Sequence, residues 1–516
     1  MTGEEKKSRE AVCDELIREG IDGRSDEDAV HRVTRLTDLA VEVKHTDGLA
    51  HALKWYEALE KKGVGGKLAI ILDFGRASAI AGGRYGTQWT WDQPSLSREI
   101  YHLRRAVSNP AFAQAPKELK CICLNNLGNR MRVAGRAIEA LAYWRKVIEL
   151  EPNFGMALCN RARILSNYAE FLEGSDSLAL FLWAAQKEAS KALSPTAVYL
   201  DPDHDRQTQE GAKELKQWIE SFLDVKGIDA LGNPLACPDR SRSEEERQYR
   251  EWCLATGLFL NPLNDLGPHM IAATDSLGLP SIIVPVDSPH RFESFFDQMK
   301  QEYVSARWSL YEGASNRPPH FSDRDVLLQL TDPRPSLSLA TERIKGAYRA
   351  AYSLFDKISF FVNAYIELGM RERDVSFRRV WRQDEKKPIR SEFDQTGNWG
   401  FCALYWLSKD LFEKENDEVA EPQARGLSEI RNYLEHKYLR VTAGGSALAP
   451  PDDLAFMVSR EDLESKALHL LKLSRSALIY LAVGCKFEED RRKPRYAGLR
   501  IEDLPEIPYL KDDEKK

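Results

Sequence analysis

The spacing of apolar residues is helical through most of the chain. Apolar positions recur three and four residues apart over long stretches, with few β-branched runs. This period marks one face of an α-helix, and Gly and Pro separate successive stretches. Residues 279–286 are the exception: they predict one strand, although their two prolines favour an edge strand or a loop. We therefore predict a mainly α protein.

The N-terminal part contains a stretch that matches a helical-hairpin repeat. The residues at the characteristic positions of a tetratricopeptide repeat are Leu124, Leu127, Gly128, Met131, Ala140, Trp144, Val147 and Pro152. Gly128 and Ala140 would let two antiparallel helices approach closely, with Gly135 near the turn. One hairpin cannot bury its own apolar face, so neighbours are expected. Weaker pairs occur at 158–193, 68–107 and 35–62. We predict a tetratricopeptide-like array over residues 1–225, although any helical hairpin with an Ala/Gly seam fits the same pattern.

Residues 226–335 are predicted to form a linker and connecting helical region. The linker is rich in Gly, Pro and charged residues, and residues 292–311 read as one helix. Four polar side chains in this region could be taken for a site. We interpret them instead as helix and turn caps, a common role of Asn and Asp. They are Asn261, Asn264, Asp265 and Asp275.

Residues 336–485 are predicted to form a four-helix bundle, followed by a charged tail over 486–516. The first helix has apolar residues spaced four and three apart from Ile344 to Tyr365. Beside this face runs a polar line of four residues. Further helices are predicted over 399–415, 422–440 and from about 463, which completes a small bundle. The polar line consists of Tyr352, Asp356, Ser359 and Asn363.

Composition excludes several classes of protein. The 516 residues carry a formal net charge of −7, so there is no global basic field and any nucleic acid must bind at a local patch. Eight cysteines and ten histidines show none of the usual metal-ligand spacings. Phosphate-binding loops are also missing, so we expect no metal and no cofactor. With no signal-like start and no apolar stretch long enough to span a membrane, we expect a cytoplasmic protein that does not bind membranes.

The third bundle helix carries the most informative motif, the hexamer from Arg431 to His436. Arg, a polar residue, three more residues and His on this helix resemble the catalytic signature of the HEPN superfamily. The first bundle helix (351–369) and the segments 249–253, 258–265 and 301–313 look like those of HEPN proteins with an N-terminal helical-repeat region. The resemblance covers residues 249–485 well and the repeats loosely.

The resemblance implies metal-independent RNA cleavage that leaves a 2′,3′-cyclic phosphate or 3′-phosphate and a 5′-hydroxyl. His436 would act as general acid or base, and Arg431 would pair with the negatively charged phosphate. Asn432 would bond the phosphate or orient the histidine, and Asp356 matches an acidic position on helix one. A salt-bridge cluster of Arg431 and His436 with Glu435 is the structural alternative.

The resemblance also implies a homodimer, in which two motifs face one groove. An RNA track is suggested by the basic segment 371–390, with Arg378, Arg379, Trp381 and Arg382 as contacts; a solvated loop is the alternative. We expect a toxin-like or anti-phage effector with repeats splayed outward, free to bind a protein regulator. The alternative is a catalytically silent RNA-binding or adaptor protein whose repeats bind a partner. A nucleotide-handling transferase is disfavoured because its motifs are missing.

Overall fold

The protein is mainly α-helical, as predicted. The computed structural model describes residues 3–84, 89–171, 175–200, 202–230, 232–284, 290–315, 318–329, 334–383, 388–394, 397–412, 421, 424–442, 454–496, 509–512 and 515. The N-terminal helices are α1 (Gly3–Glu19), α2 (Asp26–Val43), α3 (Thr46–Lys61), α4 (Gly66–Gly83), α5 (Pro94–Ser108), α6 (Lys117–Val133), α7 (Ala137–Leu150), α8 (Gly155–Ala169), α9 (Ser175–Ala192), α10 (Pro202–Glu220) and α11 (Val225–Ala230). The later elements are α12 (Glu244–Thr256), α13 (Arg291–Ala314), α14 (Leu339–Tyr365), α15 (Ser391–Asp394), α16 (Trp399–Phe412), α17 (Ala424–His436), β1 (Tyr438–Thr442), β2 (Ala455–Ser459) and α18 (Arg460–Arg492).

The N-terminal helices pack as antiparallel hairpins, and α6/α7 is the hairpin read from the repeat pattern. A side chain at Gly128 would approach Trp144 Nε1 to 2.6 Å, so glycine lets the buried indole lie against α6. Gly135 forms the turn with a φ of +76°, a conformation that glycine adopts without strain. Further hairpins are α2/α3, α4/α5 and α8/α9. The N-terminal part therefore consists of packed helical hairpins, and in α6/α7 the spacing of a small and an aromatic residue sets how closely the helices pack.

The bundle at the C-terminal end is formed by α14, α16, α17 and α18, and α13 packs along it. Phe292 of α13 contacts Phe361 and Tyr365 of α14, with ring centroids 5.2 and 5.5 Å apart. The predicted boundary at residue 336 thus falls between two helices that pack together. The predicted boundary at residue 485 lies inside α18, where Glu488 is still buried.

The strands differ from the prediction. In the described part of the predicted strand, residues 279–284, the chain is irregular, and residues 285–286 lie outside the described residues. The third bundle helix ends at His436, after which β1 pairs in parallel with β2 from Tyr438↔Ala455 to Thr442↔Ser459. Ser336 N donates to Val441 O on the other side of β1. Main-chain bonds to two distant segments therefore end the helix earlier than its apolar period suggested.

The helices α5–α9 share one hydrophobic core with the bundle, whereas α1–α3 pack in a separate core with part of α4; the expectation of an outward-splayed array is therefore corrected for α5–α9. Asp410 of α16 is fully buried and accepts hydrogen bonds from Arg104 of α5 and from Arg136, the residue just before α7. Beside it, Lys409 donates to Asp92, just before α5. Apolar packing and buried ion pairs hold α5–α7 against α16, so this part of the array cannot swing away while the fold is intact.

Among the helices that the structure describes, α18 has the length and composition of a membrane span. Its most apolar window has a mean hydropathy of 1.3, and 83% of that window is buried inside the protein. Leu470, Leu478 and Leu481 are all fully buried in the shared core. In this structure α18 is a core helix.

Candidate functional site

The helix α17, which carries the Arg–His motif, is held against α14 near both of its ends. The Tyr348 hydroxyl donates to the Leu427 carbonyl at 2.7 Å in the first part of α17. Arg349 Nη2 donates to the Leu434 carbonyl at 2.5 Å near its last turn. Carbonyls in the last turn of a helix have no partner within the helix, and a cation is favourable there. These contacts fix the register of α17 on α14.

Arg431 lies between the two helices beside two residues of the polar line. Its guanidinium lies over the Tyr352 ring, 5.6 Å from the centroid, in cation–π geometry. Burial raises the pKa of Asp356, while the positive charge of Arg431 and a hydrogen bond from the Phe377 backbone oppose that rise. The structure therefore brings Arg431, Tyr352 and Asp356 together, with an aromatic face and a partly buried carboxyl beside one guanidinium.

Asn432 and His436 lie on the exposed side of α17. Arg431 Nη1 donates to Asn432 Oδ1 at 3.2 Å, so the first two residues of the motif are in contact. His436 is the last residue of α17 and is exposed. Its imidazole makes no hydrogen bond or ion pair with the residues that the structure describes. Five residues of helix rotate a side chain by about 140°. Within one chain, Arg431 and His436 are therefore directed apart rather than toward a common point.

The other two residues of the polar line are structural. Ser359 is fully buried and its hydroxyl donates to the Asp356 carbonyl within α14. Asn363 joins the helix to the following loop, because its side chain accepts from Met370 N at 3.1 Å and donates to Met370 O. Of this line, Tyr352 and Asp356 are the residues that face the motif.

The predicted RNA track is corrected for two of its four residues. Trp381 is fully buried, donates from Nε1 to Phe377 O at 2.8 Å and packs against Phe393, so it cannot stack on a base. Arg382 pairs with Asp92 at 2.8 Å and donates to the Tyr405 hydroxyl, so its guanidinium is bound by groups of the protein itself. Arg378 is half-buried and Arg379 exposed, and both remain predicted contacts. Residues 384–387 of this segment lie outside the described residues.

Of the four polar residues of the connecting region, Asn261 is a turn cap as interpreted from the sequence, whereas Asp265 and Asp275 are partners in ion pairs. Asn261 accepts from Leu263 N and so caps a short turn. Asp275 pairs with Arg307 at 2.8 Å, and Asp265 pairs with Arg475 at the same distance. Among the described residues, no group of three or more His, Cys, Asp or Glu side chains could hold a metal ion.

The bundle, with α13 along its side, defines a helical domain of the HEPN superfamily. Residues 283–488, about two-fifths of the chain, match the family model described as LA2681-like HEPN. This part of the chain is similar to that family, and the match begins just before α13. No curated protein and no solved structure matches the chain.

Sequence reasoning missed the two α14 residues that hold α17. Tyr348 was read only as part of the apolar face, and its ring is indeed fully buried, but its hydroxyl reaches α17. Arg349 gave no signal, because an exposed arginine on a helix usually faces solvent. Only the packed bundle shows that its guanidinium reaches a carbonyl 85 residues away in the sequence.

Proposed function

We propose that the chain is a metal-independent endoribonuclease of HEPN type. The observation that carries this is the motif on α17, where exposed Asn432 and His436 follow an arginine that lies beside the carboxyl of Asp356. A guanidinium can pair with a phosphate in bidentate fashion, and a solvent-accessible imidazole can exchange protons near neutral pH. The family match to 283–488 supports the same reading.

In this proposal His436 takes the 2′-hydroxyl proton or protonates the leaving 5′-oxygen. Arg431 stabilises the charge that gathers on the phosphate, and its place over Tyr352 limits how far it moves. Asn432 donates its amide protons to the phosphate while its oxygen accepts from Arg431. The charge of Asp356 interacts with Arg431, and in this proposal it keeps the guanidinium facing the phosphate rather than solvent.

The active unit in this proposal is a homodimer. Arg431 and His436 of one chain are directed about 140° apart around α17, so one copy does not surround a phosphate. A second copy across a two-fold axis would close a groove and place its own motif opposite the first. The faces of α14 and α17 that carry Asp356, Asn432 and His436 would meet there. Light scattering should then give a mass of twice the 58.7 kDa chain, or a multiple of that dimer.

The cellular role we propose is that of a toxin-like or anti-phage effector in the cytoplasm. A protein regulator on the hairpins would act through α16, because Asp410 joins that helix to α5 and α7. The chain that follows α16 leads into α17. A shift of the hairpins would therefore be transmitted toward the motif.

The test is cleavage of total RNA by the purified full chain in EDTA. Wild type should release fragments with 5′-hydroxyl ends, and His436→Ala and Arg431→Ala should each lose about 10²-fold or more of the rate. His31→Ala is the matched control, because His31 is also an exposed histidine on a helix. Equal cleavage by wild type and His436→Ala would refute the assignment. Loss of activity in EDTA that magnesium or manganese restores would refute metal independence.

The second candidate is a catalytically silent RNA-binding or adaptor protein. Its support is that His436 has no orienting partner among the described residues, whereas most general bases are held by a neighbour. This candidate is favoured if the full chain binds RNA and leaves it intact both in EDTA and in magnesium.

A further inference from the structure

A pair of arginines lies on neighbouring helices of the hairpin array, far from the motif in sequence. Arg132 of α6 and Arg163 of α8 each follow an asparagine by three residues. Asn160 Nδ2 donates to Asn129 Oδ1 at 2.9 Å, so the two helices are in contact one turn before the arginines. Residues three apart on a helix share a face. The two guanidinium groups therefore lie on the same side of this contact.

Arg132 and Arg163 are exposed, and neither forms an ion pair or hydrogen bond with the residues that the structure describes. Their neighbour Arg130 is already paired with Glu99 at 3.1 Å. Although the Arg132 side chain as a whole is exposed, desolvation of its guanidinium and the positive charges of Arg163 and Arg130 lower its pKa. Cations this close together repel one another, so an anion between them would be bound favourably.

The local charge agrees with an anionic ligand. Residues 117–170, from the start of α6 to the residue after α8, contain nine Lys or Arg and five Asp or Glu, whereas the whole chain has a net charge of −7. Gly211 of α10 leaves room for Arg163, because a Cβ there would lie 2.6 Å from its Nη2. The guanidinium thus extends over a neighbouring helix.

We propose that Arg132 and Arg163 bind the phosphate backbone of single-stranded RNA at a site separate from the α17 motif. Planar guanidinium groups match phosphate oxygens in bidentate fashion, and the free amide protons of Asn129 supply further donors. The choice of RNA rests on the proposed function, since the substrate already carries a row of phosphates. The site would extend the RNA contact beyond the cleavage position.

The test uses full-length protein carrying His436→Ala, so that RNA is not consumed. Binding of a fluorescein-labelled single-stranded 20-nucleotide RNA is followed by anisotropy at several salt concentrations, with and without Arg132→Gln/Arg163→Gln. The double substitution should weaken binding tenfold or more and make the log–log salt slope shallower by about 1.4, since each phosphate contact on a single strand contributes about 0.7. The matched control is Arg18→Gln/Arg35→Gln, which removes two exposed arginines of α1 and α2.

Unchanged affinity and slope in the double variant, or an equal loss in the control pair, would overturn the proposal. Stronger competition by poly-glutamate than by unlabelled RNA at equal charge would also overturn it, since an acidic protein segment would then be the better ligand. With otherwise wild-type protein, the double variant should raise KM for RNA tenfold and leave kcat unchanged. A wild type that binds RNA through these arginines but does not cleave it would refute the proposed function and leave this site standing.

Discussion

Replacement of Asp410 by asparagine should destabilise the whole molecule, because this carboxylate joins the hairpins to the bundle. Asp410 accepts from Arg104 Nη1 at 2.6 Å and Nη2 at 2.9 Å, and from Arg136 Nη1. The amide side chain of the variant would keep one acceptor oxygen and no charge. The two arginines are buried in α5 and just before α7, so water cannot replace the lost contacts.

The remaining acids decide the size of the effect. Arg104 also lies 3.3 Å from Glu421, and Arg136 lies 3.1 Å from Glu139, so neither arginine is left without a counter-charge. Removal of one partner from a buried ion pair typically costs about 3–5 kcal/mol. Because each arginine keeps one carboxylate, we expect the lower end, about 3 kcal/mol. Burial alone would raise the pKa of Asp410, but Arg104 and Arg136 outweigh burial and lower it. The stabilisation by this group is therefore present above the ordinary aspartate pKa and is lost as the pH falls from there toward the lowered pKa.

The assay is urea unfolding of the full chain at pH 7, followed by far-UV circular dichroism and tryptophan fluorescence. Asp490→Asn is the matched control, since Asp490 makes only surface pairs with Lys486 and Lys493 at the end of α18 and should cost about 0–1 kcal/mol. A loss for Asp410→Asn that equals this control would refute the reasoning. Repeating both variants at pH 3 should bring wild type and Asp410→Asn closer together.

Three further changes have defined outcomes. Gly135→Ala should lower the free energy of unfolding by about 2 kcal/mol or more, because alanine is strained at positive φ and its Cβ would lie 2.7 Å from Trp399 O. Gly63→Ala, at positive φ in open space, should lower it by less in the same urea assay. Trp381→Ala should lower the free energy of unfolding by about 3–5 kcal/mol in calorimetry, whereas Arg379→Ala, at an exposed position, should lower it by less. Burial raises the pKa of Asp356, so the ionised carboxylate destabilises the fold above the ordinary aspartate pKa. Asp356→Asn should therefore raise the urea midpoint of unfolding at pH 7 and leave this midpoint unchanged at pH 3.

The helices and the main hairpin could be predicted because their causes are local. The apolar residues that predict α14 all lie within that one helix. Gly128 and Trp144, which set the close approach of α6 and α7, are only 16 residues apart. The strand β1 could not be predicted in this way. Its partner β2 begins 13 residues after the end of β1. The main-chain bonds that end α17 come from the segments of Ala455 and Ser336, and not from residues of α17 itself.

The candidate site was predicted in part. Arg431 and Asp356 lie close together, because positions on two helix faces can be worked out from their periods and the bundle brings the faces together. Trp381 was misread, since a tryptophan among arginines looks exposed until Phe377, and Phe393 of α15, are seen to pack against it. The buried charges of Arg104 and Asp410 were missed for a related reason: charged residues usually face solvent, and only partners about 300 positions apart make their burial tolerable.

The shared core has a consequence for how this chain can be divided. A fragment that contains only residues 283–488 would expose the surface of α16 and α18 that α5–α7 cover, including the buried carboxylate of Asp410. A fragment that ends at residue 225 would in turn expose Arg104 and Arg136 without the carboxylate of Asp410. Recombination that attached these hairpins to another bundle would bring mismatched charges into one interior. The two parts of the gene are therefore expected to be inherited as a single unit.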